Sequence, residues 1–150
     1  MTIEQIDALN IELAKHTSLF RESYGFRSKV GIDGQVSKFQ TLKYFDMPKE
    51  LRSLIDSANL SPALETYILR FPVDGFLCEN SCIETCFLEC DAILLSNTET
   101  EVIIDGQSTT LANQGDSITI PLKSKHCVPK VTEQTDFLVT LKTKIHMEGK

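Results

Sequence analysis

The chain has 150 residues, of which 41% are hydrophobic and 24% charged, and a formal net charge of −6. That length suits one domain with a real core. The acidic balance argues against nucleic acid or an anionic membrane as main partner, because phosphate binding needs a basic face, and no apolar run approaches the ~20 residues that span a bilayer.

Met1 to Gln5 offers neither a basic n-region nor an apolar h-region. No secretory signal is therefore read there, and a cytoplasmic location is expected. Thr2 and Gln5 match a capping box, and Ile3, Ile6, Leu9 and Leu13 recur at helical steps. A helix ending near His16 or Thr17 follows, lying on a surface or against a second subunit. Residues Phe26 to Phe45 look extended, with a tight turn at Asp33-Gly34 between Lys29–Ile32 and Gln35–Phe39. A short helix then starts with Asp46 as cap and Pro48 in its first turn, and Leu51, Leu54 and Ile55 form its apolar face.

From Leu64 onward the pattern changes to strands. Thr66–Phe71, Ala92–Leu95, Glu101–Ile104, Ser108–Leu111, Ser117–Ile120 and Phe137–Leu141 are β-rich, and turn residues such as Pro72-Val73-Asp74-Gly75 and Asp105-Gly106 separate them. Short strands at this spacing predict an all-β sandwich or barrel. The expected organisation is a single domain: helices and a hairpin over residues 1–62, a barrel over 63–145 and a polar tail over 146–150. Ile-Asp-Gly-Gln occurs at Ile32 and again at Ile104, but the likeness stops at the turn, so no internal repeat is inferred.

Gly115, five residues, Pro121, and His126 five positions later form a pattern that resembles the second motif of the cupins. Gly115-Asp116 permits a tight turn into a strand, and Pro121 ends that strand because it cannot donate to the ladder. The family's glycine after the proline is Lys123 here. The resemblance implies a mainly β, double-stranded β-helix (a jelly-roll barrel) with N-terminal helical and hairpin additions, in which His126 points into the barrel mouth. It also implies a homodimer.

The first cupin motif normally supplies two histidines and a glutamate, and its spacing falls on Cys82, Glu84 and Glu89, with Ser96 where a glycine is usual. Both histidines are thus replaced. Cys82, Glu84, Glu89 and His126 form a quartet suited to iron or zinc rather than magnesium or calcium. Yet a thiolate and two carboxylates in place of imidazoles leave the set strongly anionic without its cation. Iron or zinc and no cofactor at all are both left open.

Cys78, Cys82, Cys86 and Cys90 recur every fourth residue, and Cys127 is the fifth cysteine. An odd count in such a chain does not suggest a disulfide framework. The ladder reads as small buried hydrophobes lining a barrel, as a metal site, or as redox-sensing thiols. In a strand Cys127 would face away from His126. His16 is expected at the surface and His146 in the tail.

Three functions remain in view. The first is a small-molecule binder, with His126, Arg70 and Tyr67 as polar contacts in the barrel and without standard cupin metal chemistry. The second is a metal-dependent enzyme such as a dioxygenase or isomerase. Cys82-Ile83-Glu84 with His126 imitates the layout of oxoglutarate-dependent oxygenases, but no arginine follows at Val131 to Leu141 to grip a carboxylate. The third is a regulatory or interaction protein using the barrel as scaffold. No catalytic residue is identified.

Overall fold

The structure, a computed structural model, describes residues 1–22, 36–60, 65–78, 88–121 and 124–143. Helix α1 spans Ile3–Ala14, and the capping box is present: the Gln5 amide donates to Thr2 Oγ1 at 3.1 Å and the Thr2 amide to Gln5 Oε1 at 2.8 Å. Its buried face is Ile6, Leu9 and Leu13. Helix α2 spans Lys49–Asp56 and buries Leu51 and Ile55. Pro48, not Asp46, occupies its N-cap, and Asp46 instead closes a 3-10 turn over Tyr44–Asp46. Proline fits that place because the amide it lacks would have had no helical partner. The hairpin expected at Asp33-Gly34 lies outside the described residues.

The strands are β1 (Arg21–Glu22), β2 (Gln40–Lys43), β3 (Glu65–Phe71), β4 (Leu88–Leu94), β5 (Thr100–Ile104), β6 (Gln107–Leu111), β7 (Ser117–Ile120), β8 (His126–Cys127) and β9 (Thr135–Thr143). They form a large sheet in the order β1-β2-β3-β9-β4-β7 and a small one in the order β6-β5-β8, with antiparallel neighbours throughout. After β3 the chain turns at Pro72–Gly75 and crosses to the small sheet. There Leu77 exchanges backbone hydrogen bonds with Val128 at 2.8 and 2.9 Å, and Phe76 does the same with Lys38 at 2.9 and 3.0 Å. The crossing needs glycine at position 75, since a Cβ there would stand 2.7 Å from the Pro72 carbonyl oxygen and 2.9 Å from that of Lys38.

Sequence dictates the β5–β6 turn as well. Asp105 and Gly106 adopt φ of 50° and 83°, the left-handed pair that a two-residue hairpin requires. Pro121 ends β7 as expected.

Two apolar cores result, one on each face of the large sheet. Phe39, Tyr67, Phe71, Leu94, Val102, Phe137 and Val139 belong to the core between the sheets. Ile6, Leu9, Leu13, Leu51, Ile55, Ile68 and Leu138 belong to the core between the large sheet and the helices. Helix α1 therefore covers the chain's own sheet. Strands β3 and β9 at the sheet centre are buried on both faces, and alternate residues on each feed different cores.

Candidate functional site

The space between the sheets is not completely filled. A cavity of about 70 Å³ remains there and is open to solvent at one side. Phe71 forms part of the wall, meeting Phe39 at 6.2 Å and Phe137 at 6.1 Å between ring centroids, both edge to face. Such offset contacts suit the ring quadrupoles and fix the rings. Leu69, Leu77, Val102, Ile118, Ile120, Val128 and Val139 supply most of the remaining surface. Among the described residues only Tyr67, Cys90 and His126 bring polar side-chain atoms to this wall.

His126 stands on β8 opposite Ile104 of β5. The short β8 strand places His126 and Val128 on the cavity side, and alternation turns Cys127 outward, as the sequence predicts. The imidazole Nδ1 is buried and has no hydrogen-bond partner among the described residues. Burial holds His126 below the ordinary histidine range, and the Asp105 carboxylate and a backbone hydrogen bond at Ser124 oppose that only in part. The neutral imidazole is thus the form present at pH 7.

Tyr67 lies on β3 between Lys43 of β2 and Val139 of β9, and it is 8% exposed. Burial raises its phenol well above the usual range, with Cys90 and Glu65 adding to the effect. Cys90 faces the same cavity from β4. Its thiol is free and is pushed up to about 12 by burial and then by Asp91, so it stays protonated. A protonated buried thiol is a poor nucleophile and a poor redox sensor.

Arg70, expected to reach the barrel, does not line it. It lies three positions beyond Tyr67, and the period of two along a strand turns it to the opposite face. There Arg70 is 4% exposed beneath the N-terminal segment. Its guanidinium sits 3.8 Å from the centre of the Phe20 ring. Nε and Nη2 donate to the two carboxylate oxygens of Asp136, its cross-strand neighbour, at 2.9 and 3.0 Å. Nη1 finds no acceptor among the described residues.

Glu89 also departs from expectation. Cys90 and Ala92 face the cavity, so alternation puts Glu89 with Asp91 and Ile93 on the other face of the large sheet. There it lies beside Lys142 of β9, which bridges to Asp91. The residue that β4 directs inward is Cys90, one position later. Cys82 and Glu84 lie outside the described residues, as does Cys86. Among the described residues no three histidine, cysteine or carboxylate side chains come together to hold a metal ion. The donors on the cavity wall, one imidazole and one thiol held protonated, do not fit an iron or zinc site by themselves.

Of the remaining cysteines, Cys78 is buried, with its sulfur 2.9 Å from the Ser37 hydroxyl. His16 is half-buried and pairs with Glu12 at 3.2 Å. Cys90 lines the cavity as one reading of the cysteine ladder expects, and the period of two counted from Ala92 agrees. Sequence reasoning missed Asp136 as the partner of Arg70, which nothing local signals.

No protein-family model matches the sequence, and no curated protein matches it as a relative. Solved structures do match the fold. The DMSP lyase DddQ from Ruegeria pomeroyi superposes with a TM-score of 0.57 at 16% identity, covering 91% of this chain and 62% of that one. The cupin domain of Schizosaccharomyces pombe Cnp3 superposes with a TM-score of 0.51 at 10% identity, covering 74% of this chain and 71% of that one. A cupin 2 conserved barrel domain protein from Salinispora arenicola gives 0.50 at 14% identity, with 73% and 80% covered. Identities this low speak to architecture alone.

Proposed function

From the cupin barrel that this chain folds into, we propose that it binds a small molecule in the barrel interior, with His126 and Tyr67 as polar contacts and without the standard metal chemistry of such barrels. One observation carries the reading: Nδ1 of His126 is buried at an otherwise apolar cavity and lacks a partner among the described residues. A buried polar atom left without a partner costs about 1–3 kcal/mol. A bound molecule that offers a hydrogen-bonding group at that atom would recover this. The apolar wall with few polar groups is the usual make-up of a ligand site.

A metal-dependent enzyme using iron or zinc is the second reading. It draws on the same nitrogen and on the Cys90 thiol facing the same cavity, and it would need Cys82 or Glu84 to complete the donor set. Elemental analysis of protein purified anaerobically without chelator separates the two. Binding without metal predicts metal far below one ion per chain, with wild type and His126→Ala alike. Stoichiometric iron or zinc that disappears in His126→Ala would overturn the first reading in favour of the second.

A further inference from the structure

The cavity wall also restricts what can enter. Among the described residues no aspartate, glutamate, lysine or arginine lines it. The buried cation closest in sequence, Arg70, faces the other core and spends its charge on Asp136. Around His126 the charged group that acts on the ring is the Asp105 carboxylate, which is itself negative. Resting on the small-molecule reading above, we infer that the ligand is an electrically neutral, mainly apolar molecule with one hydrogen-bond donor for the bare Nδ1, such as a short alcohol, rather than a carboxylate or an amine.

The physical reason is desolvation. An ion moved from water onto the described wall loses its hydration and finds no opposite charge on that wall in exchange, which costs several kcal/mol. A single hydroxyl loses far less and can regain it by donating to Nδ1 of His126. The anion has a further disadvantage, because the Asp105 field repels it. The protonation states agree with this picture: Cys90 stays a thiol and His126 a neutral imidazole at pH 7, so neither lends the cavity a charge.

Size narrows the class further. A dry cavity of roughly 150 Å³ accepts a benzene ring. The roughly half of that volume present here suits about three to five non-hydrogen atoms, with a polar end towards His126.

The test is a titration of the wild-type chain at pH 7.5, followed by methyl NMR of the cavity valines, Val102, Val128 and Val139. The three probes are 2-methylpropanol, propanoate and 2-methylpropylamine, each of about five non-hydrogen atoms and differing in charge. The alcohol should shift these signals saturably and bind about tenfold more tightly than either ion, a difference of about 1.4 kcal/mol. A carboxylate or amine that binds as tightly as the alcohol would overturn the inference while leaving the barrel as a ligand site. If none of the three moves the cavity signals, the small-molecule reading falls, and the inference with it.

Discussion

Strand β3 separates two regions built on opposite strategies. Towards the barrel it presents Tyr67, Leu69 and Phe71 to a cavity with spare volume and no charge on its described walls. Towards the helices it presents Ile68 and Arg70 to a core where Ile6, Leu9, Leu13, Leu51 and Leu138 are essentially inaccessible and the buried Arg70 cation is matched by Asp136. The outer core is closed and specified by a bidentate ion pair; the inner one is left incomplete. The volume left open thus lies in a domain that packs tightly elsewhere.

The largest effect should come from breaking the ion pair. Arg70→Ala leaves the Asp136 carboxylate buried without its partner, and a loss of about 3–5 kcal/mol is expected in urea unfolding. The double replacement Arg70→Met with Asp136→Leu should recover most of that, since no charge then remains to be buried. A single mutant that unfolds like wild type would show that the outer core is not the closed region described here.

Truncating the same residue type on each face sharpens the contrast. Leu9→Ala empties a filled site and should cost about 2–5 kcal/mol. Leu69→Ala enlarges a wall that already borders free space, so about 1–2 kcal/mol is expected. Equal losses at the two positions would remove the distinction between the cores.

The smallest effect concerns pH. The folded-state pKa of His126 lies below its unfolded value near 6.5, so the unfolded chain takes up a proton first as pH falls. The stability associated with His126 is thus complete above that unfolded value. It declines as pH drops below about 6.5 towards the folded pKa. His126→Phe should flatten the stability profile between pH 7 and 5; an unchanged slope would show that the ring is not held neutral by burial.

Much of the barrel is legible in the sequence because its turns are chemically explicit. Asp105-Gly106, Gly115 and Pro121 each demand a backbone geometry that few other residues satisfy, and each lies where the chain turns or a strand stops. His126 reaches the cavity from β8, as its place in the Gly115, Pro121 and His126 pattern implies. Strand β2 is poorly legible: Gln40-Thr41-Leu42-Lys43 carries one strongly apolar residue and owes its place to β3 beside it. The site was harder to read than the fold. Arg70 and Glu89 fail by parity, since one position along a strand exchanges the two faces of the sheet. Arg70 could have been excluded by counting from Tyr67. Asp136, 66 residues away from Arg70 in sequence, is its partner only through the pairing of β3 with β9.

That pairing also bears on how the barrel is made. Strand β9 is wedged between β3 and β4, and it holds both through ladders that run nearly its full length. During synthesis β3 and β4 emerge well before it, each with an open edge that only β9 can fill. Without Thr135–Thr143 the large sheet would be two unjoined halves, β1-β2-β3 and β4-β7. Strand β9, rather than any hairpin between sequence neighbours, joins the two halves of the large sheet.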